Sequence, residues 1–156
     1  MKPKIVIVAG TRPEAIKVAP LVLELRKFEA DVETLLVSTG QHREMLAQAL
    51  GAFGLEPNMD LAIMQHGQTL SQVTSRAVEG LDRLISEAAP SMVLAQGDTT
   101  TTFAAALVAF YRGVPFGHVE AGLRTGDIHN PFPEEFNRCA AKIGRASCRE
   151  RVYVLV

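Results

Sequence analysis

The chain has 156 residues, enough for one domain with a core of its own. Hydrophobic residues make up 47% and charged residues 21%, and the net charge of −1 gives no footprint for nucleic acid or an anionic membrane surface. Its longest apolar runs fall far short of the roughly 20 residues a spanning helix needs, so no membrane partner is expected.

Lys4–Ala9 is rich in β-branched residues and reads as a buried first strand. Gly10-Thr11-Arg12-Pro13-Glu14 follows as a strand-to-helix turn. Thr11 and Glu14 have capping-box spacing, and Pro13 suits an early helical position. The helix should run towards Phe28, with Pro20 kinking or restarting it. Residues 31–38 form a second strand, and residues 43–53 a helix with Met45, Leu46, Ala49, Leu50 and Phe53 on its apolar side. Residues 54–64 connect onward and include room for a short strand. Residues 69–88 repeat apolar positions at helical spacing, from Leu70 and Val73 to Ile85 and Ala88.

The next stretch organises the chain. An apolar run, residues 92–95, ends at Gln96-Gly97-Asp98. Four threonines and a helical run follow, then a second apolar run from Val114 to Glu120. Strand, helix and strand in this order build a parallel sheet. Residues 121–133 lack a period and form a long loop, and Pro133-Glu134-Glu135 opens another helix. The alternation predicts an α/β fold, a Rossmann-like and mostly parallel sheet flanked by helices. Residues 144–156 are arginine-rich and break the pattern. They read as a non-native tail that should pack poorly, behind a domain spanning residues 1–143.

Ligands of open parallel sheets bind beyond the carboxyl ends of the strands, where Asp98 and Glu120 stand. Asp98 also occupies a position suited to a helix N-cap, and the alternative for Glu120 is a structural salt bridge, for instance with Arg124. Glu134 and Glu135 are acids of the kind a helix dipole favours in a first turn. Arg12 and Lys17 beside the first helix start can hold a phosphate. The turns carry neither a Gly-x-Gly-x-x-Gly fingerprint nor a P-loop, which disfavours a nicotinamide cofactor. His42, His66, His118 and His129 share no metal-ligand spacing, and no serine sits in a Gly-x-Ser-x-Gly elbow. Two cysteines, Cys139 and Cys148, are too few for a disulfide framework or a zinc site, so no metal or cofactor is expected. The short apolar start lacks signal-peptide features, and a cytoplasmic protein is the expectation.

Five motifs occur in order: Gly10-Thr11-Arg12-Pro13-Glu14-Ala15-Ile16-Lys17, Gln41-His42-Arg43, Gly97-Asp98-Thr99-Thr100-Thr101-Thr102, His118-Val119-Glu120-Ala121-Gly122-Leu123-Arg124-Thr125, and Pro133-Glu134-Glu135-x-Asn137-Arg138. Together they resemble the N-terminal half of non-hydrolysing bacterial UDP-N-acetylglucosamine 2-epimerases. The resemblance implies a GT-B-like fold of two Rossmann-like domains with a UDP-sugar between them, of which this chain supplies the first. It implies interconversion of UDP-GlcNAc and UDP-ManNAc through 2-acetamidoglucal, without metal or nicotinamide. By the same resemblance Asp98, Glu120 and Glu134 are acid/base carboxylates, and Arg12 and Lys17 contact substrate. Gln41, His42 and Gln68 belong to a regulatory UDP-GlcNAc site, and the full-length protein is a homodimer. A fragment of this length should be inactive alone. A hydrolysing relative that releases ManNAc and UDP, or a non-catalytic nucleotide-sugar-binding module, stays open on sequence.

Overall fold

The structure, a computed structural model, describes residues 2–40 and 43–142 and the backbone of Val152–Leu155. Its elements are β1 (Lys4–Ala9), α1 (Arg12–Arg26), β2 (Glu33–Ser38), α2 (Arg43–Gly51), β3 (Met59–Asp60), α3 (Leu70–Ala88), β4 (Met92–Gln96), α4 (Thr100–Tyr111), β5 (Phe116–Val119), α5 (Glu134–Ala141) and β6 (Val152–Leu155). The strands lie side by side in the order β3-β2-β1-β4-β5-β6. Every pairing from β3 to β5 is parallel.

Burial along β1 shows how the two faces are covered. Val6 and Val8 pack with α3 and α4, through residues such as Val73, Leu81, Ile85 and Val108. Ile7 and Ala9 point the other way and pack with α1 and α2, through Val18, Val22, Leu46 and Leu50. Successive side chains of a strand face opposite sides, so a strand covered on both must be apolar throughout. Burying a Leu, Ile or Val side chain contributes about 1.5–3 kcal/mol, and these two clusters hold the sheet in place. Chain order reverses between β1 and β4, which is the switch point where open α/β sheets form a crevice.

Two expectations about the elements need correction. Pro20 does not restart α1, which runs as one helix across it. Proline removes one helical hydrogen bond, but Pro20 and Ile16 are both exposed, so water can satisfy the freed Ile16 carbonyl. The tail was expected to lack a packing partner. Instead Val152–Leu155 pairs antiparallel with β5, with Phe116 opposite Leu155 and Val119 opposite Val152. The outer side of β5 offers a row of backbone donors and acceptors, and four residues of high strand propensity can take them. The rest of that expectation concerns residues 144–151 and 156, which lie outside the described residues.

Candidate active site

The carboxyl ends of β1, β4 and β5 lead into turns that surround a cleft of about 170 Å³, lined among others by Glu14, Lys17, Gln96, Asp98, Glu120 and Arg138. Asp98 and Glu120 are therefore brought into one cleft by adjacent strands. Glu120 follows β5 with φ 61°, in the left-handed region. That conformation disfavours a residue with a Cβ and is held only where the surroundings over-determine it. Here they do: the Glu120 carboxylate accepts from the Lys17 ammonium and from the Gln96 side-chain amide. The salt bridge considered with Arg124 does not form. Arg124 donates to the carbonyls of its own loop and of α5, at 3.0 Å to Ala121 and 3.4 Å to Arg138. Lys17, reaching across from α1, takes its place.

Asp98 is not a helix cap. Thr99 is the N-cap of α4, in extended conformation, and its hydroxyl accepts the Thr102 amide at 3.3 Å. The Asp98 side chain is left for another partner, Arg138, whose Nη1 lies 3.0 Å from Oδ2. The turn carrying Asp98 is fixed at consecutive carbonyls. Gln96 O accepts the Thr102 hydroxyl at 2.7 Å, Gly97 O the His118 ring Nε2 at 2.5 Å, and Asp98 O the Asn137 amide at 2.9 Å. Gly97 itself needs φ 84°, which glycine adopts without a Cβ clash. His118 is 1% exposed and its Nδ1 has no partner. Burial lowers its pKa; the Gly97 carbonyl opposes this, Arg124 adds to it, and Asp98 opposes it.

Two carboxylates that the sequence left in minor roles are buried. Glu14 is 2% exposed; Oε2 accepts the Gly10 and Thr11 amides at 2.6 and 2.8 Å, and Oε1 accepts the Thr99 hydroxyl. Burial pushes its pKa up, with the Thr99 hydroxyl and the two amides acting the other way. Glu135 is also 2% exposed and receives Arg138 at 3.0 Å and the Thr125 amide at 3.1 Å. Burial acts to raise its pKa, but the Thr125 and Gly126 amides with Arg138 and Arg124 hold it below the usual carboxylate range. Glu135 is thus no ordinary first-turn acid. Arg138, 6% exposed, spans Glu135 and Asp98 and ties α5 to the cleft.

The other predicted residues are placed differently. Glu134 begins α5, partly buried, one helical turn before Arg138, and it is not among the residues lining the cleft. Arg12 is exposed at the start of α1, outside the lining but next to Thr11 and Pro13, which belong to it. Gln68 closes its own loop, receiving the Gln65 amide and donating to Ile63 O at 3.1 Å. Gln41 and His42 lie outside the described residues. Among the described residues no group of three or more His, Cys, Asp or Glu could hold a metal ion, and no helix is long and apolar enough to cross a membrane. Sequence reasoning missed Glu135, Asn137, Arg138 and His118 as parts of the site. The available signal was the spacing of Glu135 and Arg138, i to i+3 on one helix face.

The family model described as UDP-N-acetylglucosamine 2-epimerase matches residues 23–144. A UDP-N-acetylglucosamine 2-epimerase of Bacillus subtilis is 55% identical over 137 residues, covering 88% of this chain and 36% of its own length. The crystal structure of the Neisseria meningitidis UDP-GlcNAc 2-epimerase bound to UDP-GlcNAc superposes with a TM-score of 0.83 at 47% identity, over 88% of this chain and 38% of that one. Acinetobacter baumannii MurG shares the fold alone, at TM-score 0.60 and 14% identity over 84% of this chain and 38% of that one. The chain spans about 36% of the length of the curated relatives it matches.

Proposed function

The chain belongs to the UDP-N-acetylglucosamine 2-epimerase family, and from that premise we propose that it is the N-terminal, Rossmann-like part of an enzyme interconverting UDP-GlcNAc and UDP-ManNAc. The observation that carries this reading is the meeting of Asp98 and Glu120 in one cleft, with the Lys17 ammonium on Glu120.

In the reaction, the bond from the anomeric carbon to the diphosphate oxygen breaks and UDP leaves with the electron pair. The proton at carbon 2 passes to a carboxylate, leaving a double bond between carbons 1 and 2. UDP then adds back to carbon 1, and a carboxylic acid delivers a proton to the opposite face of carbon 2. That proton is not next to a ketone, so its removal depends on stabilising the departing charge. Asp98, Glu120 and Glu134 supply the acid/base groups, and carboxylates in different surroundings can serve two faces. Arg12 and Lys17 carry the diphosphate charge. Because Lys17 touches Glu120, one cation links the leaving group to a proton-transfer group. Gln41, His42 and Gln68 form a separate regulatory site for UDP-GlcNAc. The complete protein is a cytoplasmic homodimer whose remaining part clamps the nucleotide and excludes water. The family domain ends near residue 143, and residues 144–156 stand outside it, in keeping with a family match that stops at residue 144.

The test incubates a full-length protein carrying this domain with UDP-GlcNAc in heavy water and follows carbon 2 by NMR. Deuterium entry with formation of UDP-ManNAc is expected. Asp98→Asn, Glu120→Gln and Glu134→Gln should each slow it by about 10²-fold or more. Full activity in all three variants would move the chemistry to other residues.

A further inference from the structure

The proposed chemistry makes no use of Glu14, although its carboxylate lies beneath the cleft and lines it. Its two oxygens face different partners. Oε2 meets the backbone amides of Gly10 and Thr11. Oε1 meets the hydroxyl of Thr99, the N-cap of α4. Thr102 is also 3.5 Å from Oε1, but its hydroxyl hydrogen goes to Gln96 O at 2.7 Å, so Thr99 carries the link. One side chain therefore joins the turn after β1 to the turn after β4. The first turn leads into the helix bearing Arg12 and Lys17, and the second bears Asp98.

Glu14 also decides what the first turn can offer a ligand. The Gly10 and Thr11 amides, which would otherwise face an incoming anion, are already filled by an internal one. Pro13 has no N–H to give. With those two amides filled, a phosphate at this turn leans chiefly on side-chain cations. The other charged groups of the cleft pair among themselves, Lys17 with Glu120 and Arg138 with Asp98. None of them supplies Glu14 with a counter-ion, and its place is fixed by the hydrogen bonds just described.

We propose that Glu14 is a positioning residue, which sets the distance between the cations on α1 and Asp98 on the neighbouring turn. Its kinetic consequence rests on the functional reading; the cross-link itself does not. Glutamine at this position can keep an oxygen on the two amides and turn its NH₂ to Thr99, whose hydroxyl then accepts. Alanine cannot, and Thr99→Ala removes the link from the other side while Thr99→Ser restores it.

The experiment measures turnover per folded molecule in a full-length protein carrying this domain, by deuterium entry at carbon 2, with UDP binding used to count folded sites. Glu14→Gln and Thr99→Ser should stay within about threefold of wild type, the scale of one altered hydrogen bond. Glu14→Ala and Thr99→Ala should lose roughly 10²-fold, the scale of a misplaced catalytic group. A role in folding alone would lower the number of sites and leave turnover per site unchanged, and that result overturns the proposal. So does a loss of roughly 10²-fold in Glu14→Gln with intact UDP binding, because the charge would then act in the chemistry itself. If wild type exchanges no deuterium, the functional reading fails and the cross-link is judged by amide hydrogen exchange. The Gly10 and Thr11 amides should exchange slowly in wild type and Glu14→Gln and fast in Glu14→Ala. Equal rates in all three overturn it. Should Glu14→Ala not fold, Thr99→Ala carries the same comparison.

Discussion

Replacing His118 with glutamine should change how the domain responds to acid. The His118 ring hydrogen-bonds the Gly97 carbonyl through Nε2 at 2.5 Å, so that nitrogen carries the hydrogen, and Nδ1 is buried with no partner. A second proton would place a charge in the core with no acceptor for it. Burial lowers the pKa from its ordinary 6.5. Between the two values the unfolded chain binds the proton and the native chain does not. The stability from this group is present above about pH 6.5 and is lost as pH falls through the folded value, by at most about 1.4 kcal/mol per pH unit. Glu14 works in the opposite sense. Its pKa is raised from 4.5, so its contribution is complete below about pH 4.5 and is lost as pH rises through the folded value. Where their windows overlap, the two groups change stability in opposite directions. Glutamine at 118 keeps a donor for Gly97 O and removes the histidine's fall, so that variant should hold or gain stability on acidification. Glu14→Gln removes the opposing gain and should lose stability more steeply than wild type. Urea unfolding followed by circular dichroism from pH 4.5 to 8 separates the three. Parallel curves throughout that range would refute the assignment.

Lys17→Met should leave stability within about 1 kcal/mol, since the Lys17–Glu120 pair is half-exposed, yet weaken UDP binding to the full-length protein by about tenfold or more in calorimetry. Lost stability with unchanged UDP affinity would remove Lys17 from the binding role. Gly117→Ala places a Cβ 2.3 Å from Leu94 Cδ2, in a core with Leu94 8% exposed. It should cost about 1–3 kcal/mol in denaturant unfolding, and a second change, Leu94→Val, should recover part of that. Gly40→Ala combines φ 76° with a Cβ 2.8 Å from Asp60 Oδ1 and 3.1 Å from the Ala62 Cα. It should cost more than about 1 kcal/mol and resist rescue by Asp60→Ala, because the Ala62 backbone cannot swing aside.

The sheet was readable because its signals are local. β1 matches its predicted limits residue for residue, α3 begins one residue after the predicted start, and the acids at the ends of β4 and β5 stand where strand patterning puts them. What the sequence did not disclose depends on which strands become neighbours. Glu14 looked like one half of a capping box, and it does close that box, but its other oxygen is taken by the hydroxyl of Thr99, 85 residues further along the chain. Glu134 and Glu135 are indistinguishable by type and position in a first turn. Only the packing of α5 against the β4–α4 turn turns Glu135 inward onto Arg138 and leaves Glu134 partly exposed.

The threonine run makes the same point most sharply. Read alone, it permits a cap, packing residues or an anion site. In the structure Thr99 caps α4 and reaches Glu14 below β1, Thr101 meets Thr39 at the end of β2 at 2.9 Å, and Thr102 returns to the last carbonyl of β4. Three of the four hydroxyls therefore join one helix start to three strand ends. That requires β1 to lie between β2 and β4, and no short-range pattern encodes such an order. The run is better understood as the joint that holds Asp98 in place than as a ligand-binding loop, because three of its four hydroxyls are engaged within the protein.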